Sequence, residues 1–161
     1  MATLLDPIIE FRQDHRKVRD LLLGLADAVE KNQLDEARSL LAEIDAVTGP
    51  HFRYEEEALY PAMKAFLGEY VDSLVAEHDD AIRTAVTAVS LLSKTSLSEE
   101  EATGVAKAAR SLLIHVSNCD GLNILAERLS PEQLESLANR YKEAREAGLS
   151  LLRWAETVRR R

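Results

Sequence analysis

Apolar side chains recur at helical spacing along the chain, and this periodicity limits the fold more than any other feature of the sequence. A buried helix face repeats an apolar residue every three or four positions, whereas a half-buried strand alternates apolar and polar residues. The first segment follows the helical spacing at Ile8, Phe11, Val18, Leu22, Leu25 and Val29. Four later segments carry similar stripes, and the sequence contains no strand-like alternation. The pattern therefore predicts an all-α protein.

Capping residues and prolines divide this pattern into separate helices. Asp6 before Pro7 is typical of a helix start, because aspartate caps free backbone amides and proline fits the first turn. A second helix begins near Leu34. Within it, Gly49–Pro50 predicts a kink or a restart and Pro61 predicts a second bend, since proline removes a backbone donor and clashes with the preceding turn.

Further boundaries follow in the second half of the chain. Gly68 ends the second helix, and a third covers about 69–94. Ser98 with Glu101 forms a capping-box sequence, which predicts the start of a fourth helix.

The last boundary is Ser130–Pro131, a capping serine and a first-turn proline that open a fifth helix. The sequence thus predicts one domain over 1–161. It consists of an up-down four-helix bundle over about 7–129 and an additional C-terminal helix over about 131–158. That last helix either packs on the bundle or serves in dimerisation.

Charge and composition exclude several classes of partner. The formal net charge is −8, which repels phosphate backbones, so no nucleic-acid partner is expected. No apolar run approaches the roughly 20 residues of a membrane helix, and the first residues lack the pattern of a signal peptide. The single cysteine excludes an internal disulfide. We therefore expect a cytoplasmic protein without a membrane partner, either a monomer or a weak homodimer.

The four histidines are the strongest functional signal. His15, His51, His78 and His115 each fall on a different predicted helix and on its apolar face. A single histidine there is usually a hydrogen-bonded core residue, since an unpaired buried polar group costs about 1–3 kcal/mol. Four inward histidines indicate instead a metal site, because facing helices of a bundle supply metal ligands and imidazole is a common nitrogen donor.

Two carboxylates lie close to these histidines in the sequence. Glu55 is four residues after the second histidine, so both project from one helix face. Asp120 is five residues after the fourth histidine, which turns it away by about 140° on a regular helix. A π-bulge or local unwinding beside Gly121 would return Asp120 to the histidine face. Without a metal both residues are ordinary solvated acids, and Glu56 and Glu77 are the nearest alternative carboxylates.

In this order the residues resemble the hemerythrin-like family, also called the HHE cation-binding domain. The motifs that carry the resemblance are His15, His51-x-x-x-Glu55, His78 and His115-x-x-x-x-Asp120. The run HFRYEEEALYP over residues 51–61 strengthens it, because a proline follows the acidic residues at a spacing similar to the family's. The resemblance spans about residues 7–129.

The resemblance implies two non-heme iron ions between the helices, joined by an oxo or hydroxo bridge and by two carboxylates. The implied roles are His15 and His51 on one iron, His78 and His115 on the other, and Glu55 and Asp120 as bridges.

One position departs from the oxygen-carrying members of the family. Those proteins have His-x-x-x-His on the third helix, whereas Leu74 stands at the first of these positions here. The chain therefore resembles a four-histidine, bacterial-type variant. Because a ligand is missing, reversible oxygen transport becomes a less favoured prediction.

Tyr54 is a candidate for the missing ligand. It lies three residues after His51, on the same broad face of the helix as Glu55. A phenolate favours ferric iron, and tyrosine is the axial iron ligand of haem catalases. The alternative is that Tyr54 packs in the core with its hydroxyl hydrogen-bonded. Cys119, four residues after His115, could also face the site, although a lone cysteine is more often a small buried apolar residue.

A ferric-favouring centre suits peroxide better than dioxygen. The leading functional prediction is therefore a catalase-like reaction on hydrogen peroxide in defence against oxidative or nitrosative stress. One alternative is binding or sensing of dioxygen or nitric oxide, and another is donation of iron to damaged iron centres. A further alternative, from another class, is a metal-free helical interaction module.

Overall fold

The computed structural model describes residues 5–159, which form helices joined by short connections without any strand. The helices are α1 (Pro7–Glu30), α2 (Leu34–Tyr54), α3 (Tyr60–Leu67), α4 (Tyr70–Leu92), α5 (Glu99–Asp120), α6 (Asn123–Ala126), α7 (Pro131–Ala147) and α8 (Leu151–Val158). A π-helical segment, Glu55–Leu59, joins α2 to α3. The predicted all-α fold is confirmed.

The four long helices form the bundle. Helix α1 packs on α2 and α5, and α4 packs on the same two helices, so the four helices enclose a common interior. Helix α7 covers α1 and α2, while α8 lies against α2 and α4. Among the described residues, no helix has both the length and the apolar character needed to cross a bilayer.

The bundle interior contains two large apolar clusters. One cluster includes Leu22, Leu25 and Ile44. The other includes Phe11 and Met63, which both have almost no exposed surface. On each long helix the histidine lies between the residues that enter the two clusters. The fold therefore places a polar layer across an otherwise apolar interior.

The predicted helix caps are present in the structure. The side chain of Asp6 accepts hydrogen bonds from the amides of Ile8 and Ile9 at the start of α1. Ser98 and Glu101 form a reciprocal capping box at the start of α5. These contacts satisfy amides that have no partner within their own helix.

Helix α2 departs from the prediction at Gly49–Pro50. The helix continues through these residues to Tyr54, so the predicted restart is wrong. The distortion lies later, in the π-helical segment that precedes Pro61. Pro61 has no amide hydrogen to bond the carbonyl of Glu57, and the wider turns before it accommodate that loss.

Gly49 has a different role, which is to admit the connection between α7 and α8. A Cβ atom at Gly49 would overlap the backbone of Leu149, Ser150 and Leu151. Beside this contact, the carboxylate of Asp45 accepts a hydrogen bond from the amide of Leu152 at 3.0 Å. The backbone that leads into α8 therefore packs directly against the backbone of α2 at Gly49.

The C-terminal region also differs from the prediction. The fourth bundle helix, expected to extend toward Leu129, ends at Asp120 and is followed by the short α6. The single helix expected over 131–158 is divided into α7 and α8. The division occurs at Gly148, whose φ of 61° lies in the left-handed region that commonly ends helices, and α8 then starts with Ser150 as its cap.

Candidate metal centre

The four histidine side chains converge in the polar layer of the bundle. His15, His51, His78 and His115 come from α1, α2, α4 and α5, and their residues are between 0% and 8% exposed. The Nε2 atoms of His15 and His51 are 3.1 Å apart. The ring centroids of His78 and His115 are 4.7 Å apart. The histidines therefore form two pairs.

Glu55 lies between the two pairs. Its Oε1 atom is 3.1 Å from Nε2 of His51 and 3.8 Å from Nε2 of His15. Its Oε2 atom is 2.8 Å from Nε2 of His78. The residue has no exposed surface. One buried carboxylate thus contacts both histidine pairs.

These side chains form two sets of donor atoms that share Glu55. The first donor group is His15, His51 and Glu55, and the second donor group is Glu55, His78, His115 and Cys119. Within each group the ligand atoms lie within 4.8 Å of one another. Such sets of nitrogen, oxygen and sulfur atoms are suited to a transition metal or zinc.

Each histidine is oriented by a carboxylate on its outer side. In every case the Nδ1 atom faces a carboxylate oxygen and the Nε2 atom faces the interior. The pairs are His15 with Asp120 (3.0 Å), His51 with Asp14 (3.1 Å), His78 with Glu56 (2.9 Å) and His115 with Glu77 (2.6 Å). When Nδ1–H donates to the carboxylate, the inward Nε2 carries a lone pair, which is the arrangement of metal-bound histidines.

Burial and charge act in opposite directions on the inner groups. Burial lowers the pKa of His51, but the charge of Glu55 and the hydrogen bonds to Asp14 and Glu55 outweigh burial and raise it from 6.5 to about 9. Burial likewise raises the pKa of Glu55, but the charge of His51 and hydrogen bonds from His15 and His51 hold it well below 4.5. The inner carboxylate is therefore charged, and a proton or a metal ion must balance it.

The inner atoms are arranged to share a cation. Two inward lone pairs at the Nε2 separation of His15 and His51 would repel each other, so a proton or a metal ion must lie between or beside them. The Oε2 atom of Glu55 finds no hydrogen-bond donor within residues 5–159 despite its short distance to His78. Polar atoms that lie this close together without a hydrogen bond are typical of ligands around one cation.

Comparison with known families gives the same interpretation. The family model described as "Hemerythrin HHE cation binding domain" matches residues 6–121 of the chain. The chain belongs to this family. The matched range contains all four histidines together with Glu55 and Asp120. No curated protein and no solved structure was found to match the chain.

Two of the predicted ligands lie outside the two donor groups of this hemerythrin-like domain. The ring of Tyr54 stacks on Tyr141 at 4.0 Å and packs edge-on to Phe11, and burial raises the pKa of its hydroxyl. The Asp120 side chain is 43% exposed and contacts the outer nitrogen of His15. The distortion expected between His115 and Asp120 is absent, because α5 is regular to its end. The ligand roles of Tyr54 and Asp120 stay predictions.

Tyr60 is one of the residues of this centre that the sequence reasoning missed, together with Asp14 and Tyr141 beside His51. The Tyr60 hydroxyl lies 3.1 Å from Nε2 of His78 and 3.1 Å from Sγ of Cys119. The amide of Tyr60 bonds to the carbonyl of Glu55, five residues earlier. This wider turn places Tyr60 over Glu55, whereas a regular helix would rotate it away. Pro61, which predicts a local distortion, was the available signal.

Helices α7 and α8 follow the matched range and support different histidines. On α7, the Tyr141 hydroxyl contacts the Asp14 carboxylate and lies 3.1 Å from Nδ1 of His51. Just after α8, Arg159 donates to Glu56, the carboxylate that orients His78. The C-terminal region therefore supports one histidine in each pair.

Proposed function

We propose that each donor group holds one iron ion and that the iron pair decomposes hydrogen peroxide in defence against oxidative or nitrosative stress. The observation that carries the proposal is Glu55, whose two oxygens reach different histidine pairs. A carboxylate in this position suits two cations and balances part of their charge. Two irons that each exchange one electron would supply the two-electron change that peroxide disproportionation requires.

The charge around the histidines favours ferric iron. Carboxylates on the outer Nδ1 atoms increase the basicity of the imidazoles, and more basic, negatively supported ligands stabilise the higher charge. Leu74, which is fully buried, supplies no donor at the position where the oxygen-carrying members of the family have histidine. Both features support peroxide chemistry over oxygen carriage.

An apolar cavity supports a second candidate function, which is binding or sensing of dioxygen or nitric oxide. The cavity has a volume of about 570 Å³ and lies among α1, α2, α4 and α5. Its lining includes His115 beside apolar residues such as Phe52 and Leu112. Small apolar molecules enter such a space at lower cost than hydrogen peroxide, which must give up hydrogen bonds to water.

Oxygen release from added hydrogen peroxide tests the leading proposal. Protein loaded with ferrous iron under anaerobic conditions should release more oxygen per iron than free iron does, and Glu55→Gln should abolish the excess. Glu57→Gln is the matched control, because Glu57 lies outside both donor groups, where it pairs with Arg53. Release no greater than that of free iron would contradict the peroxide proposal.

Exposure of the reduced protein to dioxygen separates the two candidates. A visible spectrum that changes on exposure and returns under vacuum would support reversible binding. An irreversible change, together with oxygen release from peroxide, would support turnover.

A further inference from the structure

Cys119 and Tyr60 make the second donor group chemically different from the first. The Sγ atom of Cys119 is 3.3 Å from Nε2 of His115, and the Tyr60 hydroxyl lies 3.1 Å from that sulfur. Both side chains are within 1% of complete burial. A buried thiol that packs only as an apolar residue does not need to contact an imidazole nitrogen and a hydroxyl.

The unpaired oxygen of Glu55 is a second and independent indication of a ligand at this position. Oε2 is fully buried, has no hydrogen-bond donor in the described part of the chain, and faces His78 at 2.8 Å. A buried carboxylate oxygen without a partner is unfavourable, because it gives up hydrogen bonds to water and receives none from the protein. A metal ion in contact with Oε2 removes this cost.

The second group offers four donors of types that bind metal ions. They are one carboxylate oxygen, two imidazole nitrogens and one sulfur, all within 4.8 Å of one another. The first donor group contains only two nitrogens and one oxygen within the same distance limit. Thiolate is a soft donor that zinc, cobalt and iron accept, whereas magnesium and calcium prefer oxygen.

We propose that Cys119 binds, as a thiolate, the metal ion held by Glu55, His78 and His115, and that the Tyr60 hydroxyl donates a hydrogen bond to its sulfur. The S–H bond breaks, a sulfur–metal bond forms, and the proton passes to solvent. The metal keeps its oxidation state in this step. The second donor group is then a sulfur-containing site and the first a site of nitrogen and oxygen only. This inference rests on the proposed metal binding by the cluster but not on the reaction catalysed.

Cobalt(II) titration of the metal-free protein tests the inference without reference to activity. We expect a thiolate-to-cobalt charge-transfer band that saturates with one of two bound ions. X-ray absorption at that stoichiometry should show one sulfur at about 2.3 Å, the distance typical of zinc–thiolate bonds. Because this test uses the unmodified chain, it does not depend on the folding of any variant.

Variants assign the band to Cys119. Cys119→Ser should remove the band and weaken binding of one ion at least tenfold, while the second ion is retained. Tyr60→Phe is the control that keeps the sulfur, and it should shift the band without removing it. Cobalt bound by the unmodified protein without a thiolate band or sulfur scattering would overturn the inference and leave iron binding and peroxide turnover intact. A protein that binds neither cobalt nor iron would overturn both.

Discussion

The two donor groups have the same arrangement on their outer sides and different donors on their inner sides. In each group both histidines turn Nδ1 toward a carboxylate and Nε2 toward Glu55 or its surroundings. The inner donors of the first group are His15, His51 and Glu55. The second group adds the sulfur of Cys119, with the Tyr60 hydroxyl beside it. The shared arrangement orients the histidines, and the difference gives the second group a sulfur atom that the first group lacks.

The two histidines of the second pair differ in their pKa. The pKa of His78 is raised, because Glu55 and Glu56 outweigh the lowering effect of burial. The pKa of His115 is lowered, because burial and the charge of His78 outweigh the attraction of Glu55 and Glu77. The second pair therefore combines one histidine whose pKa is raised with one whose pKa is lowered.

The largest expected effect comes from the residue that the two groups share. Glu55→Gln removes the charge that we propose balances both cations, while it keeps the side-chain shape. We expect metal affinity at both groups to fall on the order of 100-fold or more, beyond the 10–100-fold typical of outer partners. Calorimetric metal titration measures this loss, with Glu57→Gln as the control. A loss confined to one group would show that Glu55 is not shared.

The second effect concerns the packing of α8 on α2. Gly49→Ala forces a Cβ atom into the backbone that leads into α8, and we expect a loss of about 1–3 kcal/mol in the free energy of unfolding. Gly104→Ala is the matched control, because nothing lies within 4 Å of its added Cβ and alanine is the better helix former. Thermal or urea unfolding measures both. Equal stability in the two variants would show that α8 does not dock at Gly49.

A third, smaller effect concerns the residues that contact the outer carboxylates, which differ between the two groups. Tyr141→Phe removes a hydroxyl beside Asp14 and should weaken the first group, whereas Arg159→Ala should weaken the second through Glu56. Each change should cost about tenfold in the affinity of one ion. Arg153→Ala, on the exposed side of α8, should leave both ions unaffected. If either variant weakened both ions equally, the groups would not be independently supported.

The smallest expected effect is that of Tyr54→Phe. The ring packs on Tyr141 and Phe11, so removal of the hydroxyl should leave metal content and the visible spectrum unchanged. The ligand role predicted from the sequence requires the opposite outcome. Loss of a visible band in the ferric Tyr54→Phe protein would establish Tyr54 as a ligand and place this side chain differently from the structure described here.

The sequence predicted those features that depend on local periodicity. The spacing of apolar residues defined the bundle helices and placed a histidine on the inner face of each one. The four-residue spacing from His51 to Glu55 also brought those side chains onto one face. These features follow from regular helix geometry, which nearby residues determine.

Features that depend on distant contacts or irregular helix geometry could not be predicted in this way. A π-bulge was expected beside Asp120. The π-helical segment instead begins at Glu55 and brings Tyr60 into the site. Tyr141 reaches His51 across 90 residues of sequence, a contact for which no local pattern exists. Both cases show that tertiary packing decides which irregular turn and which distant residue complete a site.

The metal content of the protein tests the central claim most directly. Protein loaded with ferrous iron under anaerobic conditions and freed of excess metal should retain two ions per chain by native mass spectrometry. Glu55→Gln should retain fewer under the same conditions. A wild-type chain that retains one ion or none would contradict the account of two donor groups joined by a single buried carboxylate.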